Sequence, residues 1–135
     1  MITRTLRQDE DLPNWVWFNL GKPDPNWVFV VEDDQEILGV LITSPIAETV
    51  MFLRLVGNPF HKRFGWYRRL MGYTARSARE RGYSKFWVFW ESSLSAHRGI
   101  SQLYKSGDLC DSQVWNHIIG RLENLEIRYG WLVRN

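Results

Sequence analysis

The sequence predicts an α+β fold: a mixed, twisted β-sheet with a central crossover helix over residues 65–81 and short flanking helices. Three observations carry that expectation. Two apolar runs, "WVFVVE" (27–32) and "ILGVLIT" (37–43), stand either side of an acidic turn, "DDQE", the pattern of a β-hairpin. One long stretch, Gly65 to Arg81, switches to helical spacing. The run that follows, "KFWVFW" (85–90), is apolar after its first residue without alternation, as in a central strand covered on both faces and parallel to a neighbour.

Taken in order, residues 11–26 hold one short apolar group ended by Gly21, Pro23 and Pro25, so at most one short helix fits there. The hairpin strands come next, rich in β-branched and aromatic side chains. "TVMFLRLV" (49–56) is a third strand. Across 65–81, Trp66, Leu70, Tyr73 and Ala78 fall toward one helix face, with arginines elsewhere and Gly82 as the stop. "SLSAHRGISQLYKSGD" (93–108) offers a serine cap, Ile100, Leu103 and Tyr104 on one side, and Gly107 as terminator of a short helix. Val114, Trp115, Ile118, Ile119, Leu122 and Leu125 keep helical spacing and predict a helix over 111–125, capped by Asp111 or Ser112. Ile127, Tyr129, Trp131 and Val133 alternate and predict a closing strand. A chain of 135 residues makes this one domain, 1–135, with enough length to bury a real core.

Composition narrows the function classes. One cysteine, Cys110, rules out an internal disulfide and fits a reducing compartment. No apolar run approaches the roughly 18 residues of a membrane span, and the first residues lack the apolar core of a secretion signal. A cytoplasmic protein, or one carried inside a virion, is expected. His61 and His97 stand apart from other metal-type ligands, so no metal site is expected. Ser92, Ser93 and Ser95 lack the Gly-x-Ser-x-Gly context of a serine nucleophile. Eight tryptophans exceed what a core of this size needs, which points some of them, Trp131 above all, to self-association or a protein partner. Between Arg54 and Lys85 lie nine Lys or Arg residues and one acid, Glu80; clustered positive charge implies an anionic partner, either a nucleotide cofactor or nucleic acid along the basic helix.

The order of these elements resembles the core of the GNAT N-acetyltransferases. "ITRTLRQDEDLP" (2–13) echoes the family's opening phrase, and "EILG" (36–39) its hairpin. Pro59, then "KRFGWY" (62–67), then Ala78 to Gly82 fall in register with the family's signature: a proline, Arg/Gln-x-x-Gly-x-Gly/Ala, and a helix ending near Ala-x-x-x-Gly. "LYKSGD" resembles a later Tyr-x-x-x-Gly, one residue shorter. Compact, aromatic-rich members with altered signatures are similar to small GNAT-like proteins of bacteriophages.

The resemblance implies an acetyl-CoA-dependent N-acetyltransferase. It places the cofactor on Leu55, Val56, Lys62, Arg63, Phe64, Gly65, Trp66 and Tyr67, where loop N–H groups and a helix N-terminus face the pyrophosphate. The thioester lies along a splayed strand and an amine attacks it. Tyr104 is the implied acid for the departing thiolate, and Glu91, at the end of the 85–90 strand, the implied base. Glu48 is a second candidate base. The pattern departs from the family at Tyr67, which stands where a small residue is usual and is expected to project into the phosphate cradle or reshape the loop. The short 11–26 segment leaves the acceptor side open, which suits a macromolecular amine, in particular a protein. A non-catalytic, partner-binding GNAT-like protein is the alternative, and a nucleic-acid-directed transferase or binder a third.

Overall fold

The computed structural model describes residues 1–61, 65–91, 107–111 and 115–133. Strands β1 (Ile2–Thr5), β2 (Val28–Asp33), β3 (Glu36–Ile46) and β4 (Thr49–Gly57) form an antiparallel meander. Helix α1 (Trp66–Glu80) then crosses over to β5 (Lys85–Glu91), which runs parallel to β4. Strands β6 (Gly107–Asp111) and β7 (Trp115–Arg121) follow, and helix α2 (Leu122–Tyr129) with a 3₁₀ turn (Gly130–Leu132) completes the described chain. The seven described strands lie in the order β1-β2-β3-β4-β5-β7-β6.

Alternation along β2 explains why its run reads as continuously apolar. Phe29 and Val31 face the helices, where they meet Leu41, Phe52, Phe86, Leu70 and Met71. Val28 and Val30 face the other side, where Leu12, Trp15, Val16 and Phe18 cover them. A strand buried on both faces has no polar side to reveal its period. Each fully buried side chain of this kind stabilises the fold by roughly 1.5–3 kcal/mol. Gly82, at φ +97°, ends α1 as expected, with Tyr83 N–H bonded to the Ala78 carbonyl.

The C-terminal third departs from expectation. Gly107 opens β6 rather than closing a helix, and the remainder of the short helix predicted over 93–108 lies outside the described residues. Of the helix predicted over 111–125, residues 115–121 are instead strand β7, paired with β5 on one edge and β6 on the other, while 122–125 are helical as the start of α2 and 112–114 lie outside the described residues. Over seven residues an apolar run fits either period, and two ladder edges outweigh local spacing because they satisfy the backbone on both sides. The predicted closing strand is helix and turn: Leu122, Leu125 and Tyr129, three and four residues apart, are buried against α1, while Ile127 and Trp131 are 71% and 61% exposed. Strand β1, not anticipated as a strand, forms an edge strand on β2. Its Arg4 holds the chain that follows, with Nη1 and Nη2 at 2.7 and 2.9 Å from the two Glu10 oxygens and Nε at 3.0 Å from Glu32.

Candidate active site

Strands β4 and β5 pair over only four positions, Thr49–Phe52 against Lys85–Val88, and then part. The divergence coincides with a β-bulge. Opposite β3, Ile42 pairs with Arg54 and Thr43 with Phe52, which leaves Leu53 as an extra residue on β4. Past it, Arg54–Gly57 stay bound to β3, while the edge facing β5 has left its ladder. Leu55 (38% exposed) and the half-buried Val56 lie on this stretch.

Beyond Gly57 the chain is fixed by Asn58, a buried polar residue. Its N–H donates to the Leu38 carbonyl (2.9 Å), its side-chain amide donates to the Ile37 carbonyl (2.8 Å), and its Oδ1 accepts from Phe60 N–H (2.8 Å). Gly65, left-handed at φ +91°, caps α1 without a side-chain hydrogen bond, and the first helical bond runs from Arg69 N–H to its carbonyl (3.3 Å). The N–H groups of the first turn therefore lack intrahelical acceptors. A Cβ built on Gly65 meets no described residue within 4 Å.

Trp66 brings that helix end onto the sheet. Gly39 and Gly57 pair across β3 and β4, and the indole covers both: a Cβ on Gly57 would lie 2.7 Å from Trp66 Cζ2, and one on Gly39 would collide with the six-membered ring. The glycines thus form a socket for the first helical residue. Leu55, Val56, Gly65, Trp66 and Tyr67 are accordingly gathered at one end of the sheet, where β4 leaves β5.

Tyr67 does not lie against Gly65. Its ring packs against the core, edge-on to Trp66 with centroids 6.2 Å apart, and burial, with Tyr129 nearby, pushes its phenol above the ordinary range. Lys62, Arg63, Phe64 and Tyr104 lie outside the described residues. Glu91 is placed by its backbone alone, at the end of β5 opposite Trp115. Glu48 is paired with Lys85 (2.9 Å) beside the start of β4, before the strands part, and that lysine lowers its pKa.

The basic helix has internal partners. Arg69 donates to the Leu132 carbonyl (2.9 Å), and Arg76 to the Gly130 and Val133 carbonyls (2.6 and 2.7 Å). Arg79 pairs with Glu126 (2.7 Å). Arg81 donates to the Asn26 carbonyl and covers the Trp27 ring. These side chains are tied to the C-terminal segment and to Asn26 and Trp27 ahead of β2, while Arg68 is exposed.

On the opposite face of the sheet, no α-helix stands between β1 and β2. An open groove of about 240 Å³ runs there between Phe18, Leu20, Trp27, Thr43, Ser44 and the bulge residue Leu53. Among the described residues no three His, Cys, Asp or Glu side chains gather as a metal site, and no helix is long and apolar enough to cross a membrane. Gly39, Gly57 and Asn58 are site-building residues that the sequence reading missed. Glycines breaking two apolar runs were the available signal.

A model of the acetyltransferase (GNAT) family matches residues 2–106. Comparison with curated protein sequences returns no match. Among solved structures, the PaiA N-acetyltransferase of Thermoplasma acidophilum, in complex with coenzyme A, aligns at TM-score 0.61 and 17% identity over 70% of this chain and 59% of its own. The Ard1 protein of Thermoplasma volcanium aligns at TM-score 0.60 and 12% identity, over 72% of this chain and 71% of its own. A ribosomal-protein-alanine N-acetyltransferase of Escherichia coli aligns at TM-score 0.54 and 12% identity, over 70% and 68%. The chain spans less than two thirds of the length of the first of these.

Proposed function

The chain belongs to the GNAT acetyltransferase family, and on that premise we propose that it is an acetyl-CoA-dependent N-acetyltransferase whose acceptor is an amine on a protein. The observation that carries this reading is the parting of β4 from β5 at the Leu53 bulge, with the uncapped N-terminus of α1 at the same end of the sheet. The site fits the cofactor on two counts. The freed edge of β4, through Leu55 and Val56, offers backbone groups to the amides of a pantetheine arm. The first-turn N–H groups at Gly65, Trp66 and Tyr67 suit a pyrophosphate, with Lys62, Arg63 and Phe64 completing the loop in sequence.

Acetyl-CoA supplies an activated acyl group as a thioester. Transfer of that group to an acceptor amine would break the carbon–sulfur bond as the carbon–nitrogen bond formed, and would require one proton to leave the nitrogen and one to reach the thiolate. By sequence position Glu91 takes the first, directly or through water, and Tyr104 gives the second. A macromolecular acceptor is supported by the groove that ends at Leu53 without a roof of paired helices, and by the ribosomal-protein acetyltransferase among the neighbours.

Isothermal titration with acetyl-CoA, followed by a thiol-release assay on a library of N-terminal and lysine peptides, tests the proposal. Expected are saturable binding that Gly65→Glu abolishes, by charge at the helix end, and thiol release that Tyr104→Phe slows. Absence of binding at millimolar acetyl-CoA sinks it. That result would leave a non-catalytic GNAT-like protein binding partners through exposed aromatics such as Trp17 and Trp131.

A further inference from the structure

Side chains along β4 change face out of turn at one point. Phe52 faces the helices, in the core that holds Leu70 and Phe86. Leu53 packs on the other face, against the cluster of Val28, Val30 and Ile42. Strict alternation would return Arg54 to the helix side. The extra residue at Leu53 prevents that. Arg54 pairs with Ile42, whose side chain belongs to the second face, and its guanidinium carbon lies 5.8 Å from the centroid of the Trp17 ring. Val16 and Phe18, on either side of Trp17, cover that same face. A bulge re-aims a side chain in this way.

Arg54 stands two residues past Phe52, the last position at which β4 pairs with β5. Leu53 before it and Ile42 across from it both line the groove on the second face. The Arg54 side chain is exposed, and no carboxylate pairs with it among the described residues. Glu48, at the start of β4, is taken by Lys85, and Asp24, on the groove wall, accepts from the Asn26 N–H (3.0 Å). Trp17 is itself 65% exposed. A guanidinium lying over an indole is oriented by the ring, while its edge N–H groups suit a carboxylate through two parallel hydrogen bonds.

We propose that Arg54 is a specificity-determining residue: with Trp17 against it, it receives an aspartate or glutamate side chain of the acceptor protein, next to the amine that is acetylated. The inference rests on the acetyltransferase reading above and adds the chemistry of the acceptor to it. The Leu53 bulge then has two effects at once. It frees the β4 edge from β5, and it turns a cation onto the face that carries the groove. An unpaired cation at the groove's rim, with Lys22 on its wall, favours an acidic neighbour and disfavours a basic one.

Peptides that present an amine next to Asp, Glu, Asn, Gln or Lys, and are otherwise identical, provide the test. Binding is read by fluorescence anisotropy and transfer by thiol release with acetyl-CoA, with free aspartate and glutamate as further acceptors. The wild type should bind and acetylate the Asp and Glu peptides roughly tenfold better than the Asn and Gln peptides. Free aspartate and glutamate, which carry a carboxylate without a chain, should be poorer acceptors than the acidic peptides. Arg54→Met should remove the preference, Arg54→Lys should keep part of it, and Arg54→Glu should turn it toward the Lys peptide. Melting temperatures should stay together, since the side chain is exposed. A merely structural role for Arg54 would not produce the reversal. Equal treatment of acidic and neutral peptides by the wild type overturns the inference and leaves the acetyltransferase reading intact. A preference that survives both Arg54→Met and Arg54→Glu overturns it as well, and so does faster acetylation of free aspartate than of any peptide. Absence of acetyl-CoA binding, or of turnover with every peptide, removes both readings.

Discussion

The indole of Trp66 lies over Gly57, with its Cζ2 atom 2.7 Å from where a Cβ would stand. Gly39, the cross-strand partner of Gly57, lies under the same ring. The contact sets the distance between α1 and the sheet, so packing and the proposed cofactor binding share one determinant. Gly39→Ala should destabilise the fold by about 1–3 kcal/mol through overpacking and lower acetyl-CoA affinity together with it. Trp66→Ala, which leaves a cavity, should cost about 3–5 kcal/mol. Denaturant titration of the Gly39→Ala/Trp66→Leu double variant should recover part of the Gly39→Ala loss, and strict additivity would refute the socket.

Helix α2 meets α1 at backbone distance. A Cβ on Gly72 would run into the Tyr129 carbonyl, which cannot turn aside as a flexible side chain would. Gly72→Ala is therefore expected to destabilise by about 1–3 kcal/mol even though alanine is the better helix former. Chemical denaturation decides it: a stabilised variant would mean that the helices stand farther apart.

Arg76 bonds two carbonyls of the last described turn, Gly130 and Val133. Replacement by methionine keeps the aliphatic stem but leaves the Val133 carbonyl without its Arg76 donor, while the Gly130 carbonyl retains the Val133 N–H (3.2 Å), at a cost of about 1–2 kcal/mol. Amide exchange over 130–133 should accelerate in that variant before exchange over β2 changes, because the lost bonds are local to the turn.

The Arg4–Glu10 pair gives stability a dependence on pH. The bidentate contact to Arg4 lowers the Glu10 pKa from 4.5 to about 2. A carboxylate depressed on folding contributes stability that is complete above its unfolded pKa and is lost as pH falls through the folded one. The wild type should therefore exceed Glu10→Gln by about 1–2 kcal/mol at neutral pH, and the gap should close between about pH 4.5 and 2. Melting curves at stepped pH measure it, and a gap that persists at pH 2 would exclude this pair as its source.

The centre of the fold was legible because its signals are local. The acidic turn between two apolar runs, the basic helical stretch and the stop at Gly82 each announce themselves within a dozen residues. The chain from Trp115 to Val133 was not, since its periods are ambiguous and its state is decided by distant partners: β5 and β6 for the strand, Gly72 and Arg76 for the helix. The site divides in the same way. Gly65 and its neighbours were pointed to by the family resemblance, while the direction of the Tyr67 ring depends on a core that includes Tyr129, which no local rule supplies. The parting of β4 from β5 was inferred from resemblance, and its cause, the extra residue at Leu53, appears only in the register.

The carbonyls of Gly130, Leu132 and Val133 are held by arginines of the very helix whose first turn faces the proposed cofactor. Any coupling between the far end of the chain and the proposed cradle would be equal in both directions. The segment past the family-matched region is thus fastened along α1 through three hydrogen-bonded carbonyls rather than by any residue at the end of the sheet where β4 leaves β5.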